Sequence, residues 1–75
     1  MKNCYYDNAG NKATIEDVYI FPYQGASYKM VGYRLTLSAM YDDDFIYHVS
    51  VHETMNDAVH LMKTFSCGEW KEMED

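Results

Sequence analysis

The side chains of this sequence that could do chemistry are three histidines, two cysteines and a run of three aspartates. His48 and His52 stand four residues apart. On a helix that spacing would put both imidazoles on one face, as a zinc site needs. On a strand it separates them by roughly 13 Å, because each residue advances about 3.3 Å. The surrounding pattern decides between the two. Phe45, Tyr47, Val49 and Val51 alternate with Ile46, His48, Ser50 and His52, which is the period of a strand. The two rings are therefore not expected to share a metal. His60 falls on a later helical stretch, away from its apolar stripe, so no metal site is expected anywhere.

A cysteine nucleophile needs a lowered thiol pKa and a nearby base. Cys67 lies near the C-terminal end of that helical stretch, where the dipole raises a thiol pKa, and Cys4 has no local partner. A bridge between them would tie the two ends of the chain together. With no signal peptide in view, reduced thiols in a cytoplasmic protein are the expectation. Gly10, Gly25, Gly32 and Gly68 are isolated and form no phosphate-binding loop. They suit turns at Gly10 and Gly25, a bulge or close approach at Gly32, and a helix cap at Gly68. No enzyme and no cofactor are expected.

Asp42-Asp43-Asp44 lacks the alternate-position spacing and closing Glu of a calcium loop. Two readings remain. It is a solvated hairpin turn, or, with Tyr41 and Phe45 beside it, a loop tip that docks into an Arg- or Lys-lined groove.

Positioning these groups falls to a single domain spanning residues 1–75, because 75 residues leave no room for a second core. Nearly half of them are apolar and eight are tyrosines, which suit half-buried strands and binding surfaces. Cys4-Tyr5-Tyr6 reads as a short strand before an Asp7–Asn11 turn, and Lys12–Asp17 as a lead-in to a strand at Val18–Phe21, stopped by Pro22. From Lys29 to Ala39, Val31, Tyr33, Leu35, Leu37 and Ala39 alternate with Gly32, Arg34, Thr36 and Ser38. A hairpin through the acidic link then leads to the strand carrying His48 and His52, and the register is set by superposing the two odd-numbered apolar faces.

Thr54 with Asp57 forms a shortened capping box, and Met55, Ala58, Val59, Met62 and Phe65, flanked by Leu61, make one apolar helical stripe. Trp70 can fold back onto the helix end or the sheet edge, and Lys71–Asp75 should fray. The expected architecture is α+β: a small antiparallel sheet, a meander of three to four strands, packed against one C-terminal amphipathic helix. If the odd-numbered set lies beneath that helix, Tyr28, Met30, Arg34, Ile46 and His48 are left on the outer face.

Twelve acidic residues against six basic ones give a net charge of −6. That balance disfavours direct contact with nucleic acid or an anionic membrane and permits a basic protein partner. A short, acidic, tyrosine-rich chain without a catalytic constellation looks like the small inhibitor proteins of phages and mobile elements, anti-CRISPR proteins among them. The resemblance is one of size and charge. It implies an inhibitor that occupies a basic, nucleic-acid-binding groove by presenting carboxylates in place of phosphates. The expected function is thus a non-catalytic protein-binding module that meets its partner through Tyr41, Asp42, Asp43 and Asp44, with Glu69, Glu72 and Glu74. The alternative is a structural or regulatory homodimer that uses the outer face, with Tyr28, Met30, Arg34, Ile46 and His48, or an open strand edge.

Overall fold

Strand-forming residues fill the first two-thirds of the chain, and the only helical stripe follows them. The computed structural model, which describes residues 2–20, 23–65 and 69–72, has that order. Strands β1 (Lys2–Tyr6), β2 (Asn11–Ile20), β3 (Lys29–Ala39) and β4 (Asp42–His52) precede helix α1 (Met55–Phe65) and a two-residue β5 (Lys71–Glu72). Among the described residues they form one antiparallel sheet in the order β4-β3-β2-β1-β5, so the α+β meander with a single helix is the observed fold, with five strands rather than three or four.

The extra strand comes from a segment expected to fray. Trp70 folds back as anticipated, its indole N–H donating to the Met62 carbonyl at 3.0 Å. That anchor delivers Lys71 and Glu72 to the edge of β1, opposite Tyr6 and Tyr5. The lead-in at Lys12–Asp17 is also a correction, because it lies within β2. There Ala13 and Ile15 are buried while Lys12 and Glu16 face the other way. Ala13 hid this strand, since a small residue signals no apolar period.

The core is built from Ala13 and Ile15 of β2, Leu35 and Leu37 of β3, and Ala58 and Met62 of α1, with Tyr5, Tyr33, Met55, Val59, Leu61 and Trp70 packed around it. From Tyr33 to Leu37 the odd-numbered β3 residues thus lie on the helix side, as their alternation demands. The helix starts where the cap places it: the Asp57 amide donates to the Thr54 hydroxyl at 3.2 Å. Gly68 and Cys67 lie outside the described residues, as do Phe21, Pro22, Glu74 and the rest of 73–75.

The hairpin between β3 and β4 corrects two expectations. Its turn is Met40-Tyr41, not the aspartates, which already belong to β4, with Asp42 opposite Ala39. Among the described residues only Gly10 and Gly25 have a positive φ, so this two-residue turn is not of the kind that matches sheet twist. The ladder accordingly breaks and resumes at Ser38↔Ile46, then slips once more to Leu37↔His48. The second slip leaves Tyr47 as an extra residue on β4, a bulge that reverses the strand's facing.

Directly paired residues share a face. Just before the bulge Phe45 and Tyr47 face the helix, where the Tyr47 ring lies 5.9 Å from that of Phe65 and 5.3 Å from that of Phe45. After it, His48, Ser50 and His52 sit opposite Leu37, Leu35 and Tyr33 on the helix side. Val49 and Val51 sit opposite Thr36 and Arg34 on the outer side. The expectation of Val49 and Val51 beneath the helix is overturned.

A further slip, in the β2–β3 ladder, where Val18 pairs with Gly32 but Tyr19 with Met30, leaves Val31 extra on β3. It puts Met30 on the helix side with Tyr19. Gly32 sits at this bulge because a Cβ there would lie 2.5 Å from the His52 carbonyl oxygen.

Strands of ten and eleven residues are about 35 Å long, whereas the eleven-residue helix spans about 16 Å. The helix therefore covers only part of its face. The molecule measures 45 × 24 × 23 Å, with a radius of gyration of 13.6 Å against about 11 Å for a compact chain of this length.

Candidate interaction surfaces

The aspartates sit at one end of the sheet because β4 begins there. Register carries that end across the strands, from Asp42 opposite Ala39, through Asn11 and Lys12 of β2, to Tyr6 and Lys71 on β1 and β5. The topology thus brings Tyr41, Asp42, Asp43, Asp44, Glu69 and Glu72 to the same end, divided between the two sheet edges. All six are exposed, Tyr41 to 85%.

The aspartates are not equally free. Lys12 donates to the Asp43 carboxylate at 2.9 Å, and that bond holds the ammonium above its ordinary pKa of 10.5 against the opposing effect of burial. Asp42 accepts from the Asp44 amide at 3.0 Å, shaping the irregular start of β4. Asp7, at the same end, is buried and engaged: its carboxylate accepts from the Ala9 and Asn11 amides and from the Asn11 side chain, closing the β1–β2 turn with Gly10 at φ 85. The Met40 amide donates to the Gly10 carbonyl at 2.9 Å, joining the two turns.

The residues expected together on the outer face are split. Arg34 and Ile46 lie there, whereas the two bulges move Met30 and His48 to the helix side, and Tyr28 lines a recess with Tyr19 of that side. Two neighbouring features fill the outer face. Over β1–β3 it is polar: Glu16 lies between Arg34 at 3.5 Å and Lys2 at 4.0 Å, beside a recess of about 160 Å³ lined by Thr14, Thr36, Ser38 and the Lys12–Asp43 pair. Along β4 it is apolar, with Ile46, Val49 and Val51 each more than half exposed.

Among the described residues β4 is also an edge strand, hydrogen-bonded on one side only. Its Phe45–Val51 stretch contains no formal charge, glycine or proline. A run of this kind is a template for a further strand. Sequence reasoning named an open edge without saying which strand provides it. The signal was present in the abrupt change from three aspartates to seven uncharged strand formers.

The β2–β3 ribbon beyond Asp17 and Tyr33 has neither β1 nor β4 beside it and carries exposed Tyr19, Ile20, Tyr23, Tyr28 and Met30. The Tyr19 hydroxyl donates to Asp17, whose charge raises the phenol's pKa.

For chemistry the arrangement offers little. Among the described residues no group of three His, Cys, Asp or Glu side chains is placed to hold a metal. His48 turns a buried Nε2 under the helix without a hydrogen-bond partner among the described residues, and the His52 ring nitrogen meets the Ser50 hydroxyl at 2.7 Å. Cys4 is a half-buried free thiol. Among the described residues no helix is long and apolar enough to cross a membrane. No protein-family model matches the chain, and no curated protein or solved structure matches it either.

Proposed function

We propose that this chain is a non-catalytic protein-binding module that takes up an extended strand of a protein partner along the free edge of β4. The observation that carries the reading is the coincidence of an unpaired eleven-residue strand edge with exposed Phe45, Ile46, Tyr47, Val49 and Val51. An unpaired edge leaves backbone donors and acceptors that another strand satisfies along its whole length, while side chains on both faces set specificity.

A second reading has its own support. The topology gathers Tyr41, the three aspartates, Glu69 and Glu72 at one end, as an inhibitor of a basic groove would require. Its weakness is local: Lys12 already neutralises Asp43.

One comparison separates the two. Wild type, Val49→Lys/Val51→Lys and Asp42→Asn/Asp43→Asn/Asp44→Asn are each used as bait in native host extract, at low and at high salt. Strand addition predicts that the valine variant loses the captured protein and the asparagine variant keeps it at both salt concentrations. Binding that survives the lysines but disappears with the asparagines and at high salt refutes it in favour of the acidic end.

A further inference from the structure

We infer that the strand taken up by β4 is the β4 of a second copy, paired antiparallel about a two-fold axis at Ser50. This inference rests on the strand-addition reading and names its partner. After the bulge at Tyr47 the regular part of β4 is His48–His52, with His48, Ser50 and His52 on the helix side and Val49 and Val51 outside. Two such segments superpose completely, face on face, when Ser50 meets Ser50 of the second copy. His48 then lies opposite His52, and Val49 opposite Val51, on both sides of the axis. The outer face gains a contiguous cluster of four valines where each isolated copy exposes two. Both helices lie on the opposite face of one continuous sheet.

Charge selects the same register. β4 has no Lys or Arg and is bracketed by Asp42–Asp44 and Glu53. About Ser50, the two aspartate runs lie at opposite ends of the seam and Glu53 falls opposite Tyr47. A parallel arrangement would stack the aspartate runs on one another, and an antiparallel one centred on His48 would set Asp43 against Glu53. Like charges directly opposed are destabilising in both cases. Growth stops at two copies. Among the described residues the far sheet edge is formed by the two-residue β5, Lys71–Glu72, and the start of β1, too short and charged to accept another strand.

Sedimentation of the full chain across a wide concentration range tests the association, and cysteine cross-linking tests the register. The expected results are a monomer–dimer equilibrium and a shift to monomer at every concentration in Val49→Lys/Val51→Lys, whose exposed positions leave the fold intact. In a Cys4→Ser/Cys67→Ser background, Ser50→Cys should oxidise to a dimer, because directly opposed strand residues lie about 4.5–5.5 Å apart between Cα atoms, within disulfide reach. Val49→Cys alone should not, since it meets its own copy only diagonally, at about 7–8 Å. A monomer throughout overturns self-pairing and leaves strand addition to a different protein standing or falling on the extract comparison. A dimer indifferent to the two lysines overturns β4 as the seam. Cross-linking at Val49→Cys in place of Ser50→Cys overturns the register.

Discussion

Gly32→Ala isolates the contact that the β3 bulge makes with the end of β4. In an open position the change would stabilise by about 0.4–1 kcal/mol, because alanine restricts the unfolded chain. Here the new methyl would sit 2.5 Å from the His52 carbonyl oxygen and 3.3 Å from its carbon. Both neighbours are backbone, so no side chain can swing aside. Relief requires β4 to move away from β3 at the Tyr33↔His52 pair, just before the helix cap at Thr54. Overpacking of this kind costs about 1–3 kcal/mol, and loosening the last ladder pair adds to it. The net expectation is about 2 kcal/mol of destabilisation, or roughly 8–16 °C in melting temperature for a domain of this size. Thermal melting followed by circular dichroism gives the shift. Hydrogen exchange should locate the loss of protection at His52 and the first turn of α1. A melting temperature equal to or above wild type would refute the close approach.

Met62→Ala removes a side chain that is 1% exposed and belongs to the buried cluster with Leu35 and Leu37 of β3. About 2–5 kcal/mol is expected, a large share of the ~4–11 kcal/mol available to a chain of this length, so the urea midpoint should fall by about a fifth or more. Asp43→Ala should cost at most about 1 kcal/mol, because Asp43 is largely exposed although Lys12 is not. The sign of its pH dependence is fixed by the raised Lys12 pKa. The pair's stabilisation is complete below 10.5, the ordinary lysine value, and is lost as pH rises through the raised one. Urea melts of wild type and variant should therefore converge at strongly alkaline pH, and a difference that grows there would contradict the assignment.

Much of this architecture is written in local patterns. The alternation of Leu35 and Leu37 with Arg34 and Thr36 fixes the facing of β3, and Thr54 fixes the start of α1, because each signal lies within one element and has one low-energy solution. The facing of Val49 and Val51 does not. Valine reads as core in any alternation, but the two-residue turn at Met40-Tyr41 and the extra residue at Tyr47 shift the count by tertiary geometry, and no residue type near Tyr47 marks a bulge. On β3 the mark exists: Gly32 interrupts a strand of side chains. The same miscount moved Met30 and His48 to the wrong face of the expected interface. The aspartates, whose exposure depends only on their sequence, were legible as a surface, though the Lys12 pairing required the β2–β3–β4 register.

The facing of β4 underlies the valine edge, the proposed partner strand and the histidines beneath the helix. Side-chain nuclear Overhauser effects in the folded chain test it most directly. Cross-peaks from the Val49 methyls to Thr36, together with ring-to-ring peaks between Tyr47 and Phe65, are the predicted result. Cross-peaks from the Val49 or Val51 methyls to Ala58 or Met62 would place the valines in the core and contradict the account.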